Sequence, residues 1–171
     1  MGTSMGAAID YVLASLRSGV TTPDGVAVPP LTAVDPSAAV YDNTPASTSE
    51  TQVVVGRTSP DSGAAGDVDW EYTTLGAARI EESYTIPGYI AVWRPGPDQK
   101  PARDAAIALT DGVVRLIHAD PTLGLLLQMG RIARVAKVVL HQTQDDEDTA
   151  GGGYMYACVD FELAVQNTYI P

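Results

Sequence analysis

Two runs decide how this chain folds: Arg131-Ile132-Ala133-Arg134-Val135-Ala136-Lys137-Val138-Val139-Leu140-His141-Gln142, and Tyr154-Met155-Tyr156-Ala157-Cys158-Val159-Asp160-Phe161-Glu162-Leu163-Ala164-Val165-Gln166. In the second run Met155, Ala157, Val159, Phe161, Leu163 and Val165 alternate with Tyr154, Tyr156, Asp160, Glu162 and Gln166. Successive side chains leave a strand on opposite faces, so this period-two pattern predicts a strand with one face buried. The first run carries Val135, Val138, Val139 and Leu140 with Arg134 and Lys137 interspersed, and it reads as the partner strand of a long hairpin. The rest of the chain must then supply the layer that covers the hairpin's apolar side.

The connection between the two strands, Gln144 to Gly153, contains Asp145, Asp146, Glu147 and Asp148 in a row. Four adjacent carboxylates do not bury together, because each would need its own compensation for lost hydration. The loop is therefore expected to be solvated or to face a partner. A hard-cation loop needs oxygen ligands at alternating positions around a tight glycine turn, and this run lacks that spacing. Gly151-Gly152-Gly153 is not a phosphate cradle: no Lys-Ser or Lys-Thr follows, and the preceding carboxylates repel phosphate.

Upstream of the hairpin, Pro101 to about His118 predicts a helix. Ala106, Ile107, Leu109, Val113, Val114, Leu116 and Ile117 form its broad apolar face, Pro101 suits its first turn, and Asp120-Pro121 stops it. Gly112 leaves room there for a close strand. Before it, Arg79 to Trp93 predicts a strand with Ile80, Tyr84, Ile86, Ile90 and Val92 on one face and Glu81, Ser83 and Thr85 on the other. Pro87-Gly88 interrupts it, which predicts a bulge, a bend or an edge position, since proline donates no ladder hydrogen bond. Shorter strands are expected at Ala38 to Tyr41, Gln52 to Arg57 and from Trp70. Met1 to Ser18 predicts a helix capped by Thr3 or Ser4, with an Ile9, Val12, Leu13 and Leu16 stripe and an end at Gly19. Residues 21–50 are crowded with Pro, Thr and Ser and read as an extended arm laid on a neighbouring subunit; residues 58–68 and 144–153 read as mobile loops. The order of elements predicts one α+β domain over residues 1–171, a mainly antiparallel sheet with two helices packed on one face.

The 171 residues are 45% hydrophobic with a formal net charge of −11, and the pI is about 4.3. The length permits a real core. The charge disfavours nonspecific binding to nucleic acid or to an anionic membrane. Cys158 is the one cysteine, so no internal disulfide forms, and its strand position makes it a small half-buried hydrophobe. There is no stretch of about 20 apolar residues, and no basic segment followed by an apolar run at the N-terminus. Residence in a reducing cytoplasm, or in a particle assembled there, is expected.

Catalytic patterns are sparse. Gly2-Thr3-Ser4-Met5-Gly6 matches G-x-S-x-G, but a nucleophile elbow follows a core strand and here only one residue precedes. His118 and His141 belong to no metal-ligand spacing. Glu81 and Glu82 are adjacent in a strand, point to opposite faces and so share no site; both are expected on the surface, or one at a subunit contact. No metal, cofactor or enzymatic activity is expected.

The element order and several local strings resemble the tail-terminator proteins of long-tailed bacteriophages. The strings are Val40-Tyr41-Asp42-Asn43-Thr44-Pro45 with Val53-Val54-Val55-Gly56-Arg57, then Glu81-Glu82-Ser83-Tyr84-Thr85-Ile86. They continue with Ala119-Asp120-Pro121-Thr122-Leu123-Gly124 after the helix, and Phe161-Glu162-Leu163-Ala164-Val165. The resemblance covers most of the chain in layout. It implies an α+β fold and a ring, hexameric in the family, that caps the tail tube and joins it to the head-completion proteins. It also implies a virion location in the neck, passage of DNA through the lumen, no cofactor and no chemistry. Asp145, Asp146, Glu147, Asp148, Glu81 and Glu82 are the residues expected at the lumen or at a partner. The arm at 21–50 and the loop at 58–68 depart from a minimal version and leave open a head-closure or tail-completion role, or a binding module outside phage.

Overall fold

The computed structural model describes residues 4–42, 49–57, 68–72, 80–124, 133–144 and 154–169. In chain order these form α1 (Met5–Ser18), β1 (Val20–Thr21), β2 (Ala27–Val28), a 3-10 turn (Leu31–Ala33), β3 (Ala38–Asp42), β4 (Thr51–Val55), β5 (Val68–Tyr72), β6 (Ile80–Pro95), α2 (Lys100–Ala119), β7 (Ala133–Gln144) and β8 (Tyr154–Tyr169). The fold is α+β. The main sheet has the order β3-β4-β6-β8-β7, with β5 on β6, and β1 and β2 make a separate small ribbon. Every pairing is antiparallel except β3 with β4.

The hairpin forms as the alternation predicts. β7 and β8 pair from Ala133↔Val165 to Gln144↔Met155, with a register shift between Val135 and Lys137. The Met155, Ala157, Val159, Phe161, Leu163 and Val165 row of β8 is buried, together with Val53 and Val55 of β4 and Ile86, Ile90 and Val92 of β6. Ala8, Val12, Leu13 and Leu16 of α1 and Ala106, Leu109, Val113, Leu116 and Ile117 of α2 cover this face. Both helices thus lie on one side, as their single apolar stripes require. At ~1.5 Å per residue α2 is roughly 30 Å long and crosses three strands; it touches β6, β8 and β7, and α1 touches β3, β4 and β6.

Pro87 and Gly88 do not interrupt β6. The strand pairs with β8 without a break, Pro87↔Glu162 and Gly88↔Phe161 included. The reason lies on its other side, where β4 pairs with residues 88–92 and β5 with residues 80–84. Pro87 falls in the gap between those two partners, so its missing N–H breaks no ladder bond, while its carbonyl accepts from Gly56 N–H at 2.7 Å. Gly88 answers a different demand. A Cβ there would lie 2.3 Å from Phe161 Cζ and 2.7 Å from the Val54 carbonyl, so only glycine lets the one phenylalanine of the chain lie across β6.

The described part of 21–50 folds onto its own chain. Leu31 is fully buried among core residues, a contribution of about 1.5–3 kcal/mol. Gly112 of α2 makes the room, since a Cβ there would meet Leu31 Cδ2 at 2.7 Å. The close approach expected at Gly112 is therefore to the 3-10 turn and not to a strand. β3 then runs beside β4, and the Arg17 guanidinium covers its Val40 carbonyl, with Nη2 at 2.9 Å. Residues 58–67 and 145–153, where the mobile loops are expected, lie outside the described residues; Val68 belongs to β5 and Gln144 to β7.

Candidate interaction surface

Helices cover one face of the sheet, and the other face is where a site can form. Its centre is apolar. Val54, Tyr89, Ala91 and Cys158 are buried there, with Tyr41, Trp93 and Tyr156 half-buried around them. Trp93 and Tyr156 meet with ring centroids 5.0 Å apart at 42°, a tilted aromatic pair of the favourable kind. β8 therefore buries both rows over its middle, with Cys158 only 3% exposed. Burial pushes the Cys158 thiol up to about 11, with the Asp160 charge adding to the rise and the Tyr156 hydrogen bond opposing it. Burial also raises Tyr156 and Tyr89. All three stay protonated at neutral pH, so the cluster is an uncharged packing surface and not a nucleophile.

Towards the β7 edge this face becomes polar. Lys137, Val139, His141, Asp160, Phe161 and Glu162 line a shallow depression of about 240 Å³. Lys137 Nζ donates to Glu162 Oε1 at 3.2 Å, and His141 Nε2 lies 3.1 Å from Asp160 Oδ2. Asp160 Oδ1 is buried with no hydrogen-bond partner among the described residues. These pairs are cross-strand neighbours, with Lys137 and His141 exposed and Asp160 and Glu162 half-buried, and each is worth about 0–1 kcal/mol. Among the described residues no group of three or more His, Cys, Asp or Glu side chains could hold a metal ion.

The carboxylates expected at a partner separate into three cases. Asp145, Asp146, Glu147 and Asp148 lie outside the described residues. Glu81 is half-buried on the helix-free row of β6. Glu82 is not on the surface: it is 0% exposed on the helix side. Its parity with Ile80, Tyr84 and Ile86 places it there, and the N-terminus of α1 meets it. Ser4 Oγ donates to Glu82 Oε2 at 2.7 Å, and Ser4 N–H is 3.3 Å from each carboxylate oxygen. Ser4 Oγ also lies 3.0 Å from the Tyr84 hydroxyl. Ser4 stands at the helix N-cap without capping its own helix; the cap comes from another element. The serine of the G-x-S-x-G string is thus a buried anchor.

Two further carboxylates act as anchors that spacing in the sequence does not reveal. Asp35 accepts from Ser37 Oγ at 2.7 Å, Ser37 N–H at 2.9 Å, Thr51 Oγ1 at 2.9 Å and Arg94 Nη2 at 2.5 Å. Burial alone would raise its pKa, but these donors together hold it below the usual carboxylate value. Asp120 accepts from the Tyr11 hydroxyl, from Thr122 Oγ1 at 2.7 Å and from Gly124 N–H at 2.7 Å. Burial opposes ionisation there too, and the donors again prevail. The signal for both was an Asx-type turn, Asp35-Pro36-Ser37 and Asp120-Pro121-Thr122, which marks a breaker but not its distant partner. His118 is exposed in the last turn of α2, and His141 takes part in the β7–β8 pair above.

No family model matches this chain, and no curated protein matches it in sequence.

Proposed function

We propose that this chain is a structural ring protein of the neck of a long-tailed bacteriophage, a tail terminator that caps the tail tube and joins it to the head-completion proteins. The observation that carries the reading is the one-sided sheet. A half-buried aromatic cluster of Tyr41, Trp93 and Tyr156 lies on the face that no described helix covers, in a sheet whose outer strands pair on one side only among the described residues. Such a protein works through contact with copies and neighbours, and outer strands and an amphipathic face supply those contacts. The net charge of −11 supports a passage that DNA crosses without adhering, because like charges repel phosphate. No described helix is long and apolar enough to cross a membrane. In this reading Asp145 to Asp148 face the lumen or the adjoining ring, and Glu81 stands at a partner surface.

The test is end-binding. Purified tail tubes mixed with the protein are expected to show caps at one end in negative stain, and bare ends overturn the reading. Caps on the head connector instead would make it a head-closure protein. Replacing Asp145, Asp146, Glu147 and Asp148 by Asn or Gln is expected to impair tail joining or DNA ejection; normal values of both would remove the lumen assignment.

A further inference from the structure

Among the described residues four large apolar side chains stay exposed: Val26 at 60%, Val138 at 48%, Ile107 at 42% and Leu140 at 39%. They gather at two places. Val138, Leu140 and Ile107 form a shelf on the helix side of the sheet. Val138 and Leu140 pair with Phe161 and Val159, which are buried under the helices, so all four point to the same side. Ile107 lies about 140° around α2 from Gly112. Gly112 faces Leu31 of the 3-10 turn, and that turn touches α1 and β3, so Ile107 stands on the opposite flank of α2, towards β7. Arg103 and Lys100 precede Ile107 by one and two turns along that flank, with Asp104 ion-paired to both. The strand below, β7, carries Arg134, Lys137 and His141 and no carboxylate over its 12 residues.

Val26 stands alone at the tip of the β1–β2 ribbon, and the turn that holds it is rigid. Gly25 N–H donates to the Thr22 carbonyl at 2.9 Å and Thr22 N–H to the Val26 carbonyl at 2.8 Å. Thr22 Oγ1 accepts from Val26 N–H at 3.0 Å. Pro23 fixes the first corner, and Gly25 at φ 82° takes the left-handed position. An apolar side chain is thus held out into solvent on a turn already shaped, and docking it costs little ordering entropy. At the base of the ribbon Val20 and Val28 pack on the core, and Pro29-Pro30 lead into the 3-10 turn. The tip and the shelf therefore lie on opposite flanks of α2. Asp24 is the one charged residue from Val20 to Val28, and it makes no ion pair among the described residues.

We propose that the Val26 tip of one copy docks on the Ile107, Val138 and Leu140 shelf of the next, with Asp24 beside Arg103 and Lys100 of α2. The two features complement each other: a narrow apolar knob with one negative charge meets a wider apolar shelf bordered by cations, and such matching sets register and partner choice. Knob against knob would cover one valine from each copy and bring Asp24 towards Asp24. Shelf against shelf would leave Val26 in water. Only the unlike pair removes all four exposed apolar side chains from solvent at once. Because tip and shelf differ and lie on opposite flanks, the contact is head-to-tail and generates a ring or a filament. The joint deepens the ring reading and rests on it only for closure of the ring.

Analytical ultracentrifugation of the full chain, with disulfide trapping, decides it. Wild type is expected to sediment as a multiple of 17.9 kDa. Val26→Ser, and separately Val138→Lys with Leu140→Lys, are each expected to raise the dissociation constant about tenfold or more, with unchanged circular dichroism. Asp24→Lys weakens assembly as well, and so does Lys100→Glu with Arg103→Glu. An equimolar mixture of these last two variants regains the oligomer, because in alternating order every tip meets a shelf of opposite charge. Val26→Cys with Leu140→Cys in one chain is expected to give disulfide-linked oligomers under mild oxidation, and either substitution alone is expected to give none. A wild-type chain that stays monomeric at every concentration reached, or cross-linking by Val26→Cys alone, overturns the joint. Rings that persist in all variants overturn it too and leave the ring reading standing with another joint. Bare tube ends, with oligomers that respond to Val26→Ser, overturn the tail-terminator reading and leave the joint standing.

Discussion

Ser4 and Glu82 stand 78 positions apart, yet the Ser4 hydroxyl donates to Glu82 Oε2 at 2.7 Å across the boundary between helix layer and sheet. The carboxylate lies where the first N–H groups of α1 have no partner within the helix and where the helix dipole favours negative charge. One buried carboxylate thus both caps α1 and fixes where it begins on the sheet.

Ser4→Ala is expected to lower stability by about 1–3 kcal/mol, because the buried carboxylate loses a donor it cannot replace with water. Glu82→Ala should cost more, since it also releases the Ser4 N–H and leaves a void. Urea denaturation followed by circular dichroism measures both. An unchanged midpoint for Ser4→Ala would mean that the contact contributes nothing.

Asp35 and Asp120 predict the response to acid. Both carboxyls are held below their ordinary value of 3.8 in the folded chain. A depressed folded pKa means that the unfolded state binds protons first on acidification, so their stabilisation is complete above about pH 4 and is lost as pH falls through the folded values. Wild type should therefore lose stability below about pH 4. Asp35→Asn with Asp120→Asn should be less stable at pH 7 and show a flatter acid limb. Parallel curves for the two proteins between pH 5 and pH 2 would remove these carboxyls as the cause.

At Gly88 a methyl group meets the Phe161 ring at 2.3 Å and the Val54 carbonyl at 2.7 Å. Gly88→Ala is expected to cost about 1–3 kcal/mol by overpacking. Adding Phe161→Leu should recover part of that loss, because the ring is one of the two obstacles. A double-mutant cycle on thermal unfolding gives the coupling, and strict additivity would mean that the ring does not restrict this position.

Cys158 should be chemically silent in the folded protein. With its thiol pushed up to about 11, roughly one molecule in ten thousand carries thiolate at pH 7. Reaction with a disulfide reagent is expected only at the rate of unfolding, and to become fast in denaturant. Rapid labelling of the native chain would show that the helix-free cluster opens.

Much of the fold was legible because two periodicities are strong. The Met155 to Val165 alternation and the Leu109, Val113, Leu116 spacing each bury the face they predict, and both helices lie on one side of the sheet. The anchors were legible only in part. Ile80, Tyr84 and Ile86 share a parity with Glu82, so its inward position was written in the strand; the charge argued against burial, and a donor that helps to offset it comes from residue 4. At Pro87 a local rule argued for a break, and the exchange of β4 for β5 beside β6 removes the need for one. The apolar centre of the helix-free face was hidden for a similar reason. Tyr89, Ala91 and Cys158 are spread over two strands, and only pairing gathers them.

By itself the sequence determined the classes of element, the faces they bury and an α+β layering, because these depend on spacing along one segment. It also determined a strongly acidic chain with a single thiol. The tertiary structure alone decided which carboxylates are anchors, why proline sits inside a long strand and which strands are left at the edges. Those depend on which segments become neighbours, and a hydrogen bond or a strand edge exists only between neighbours.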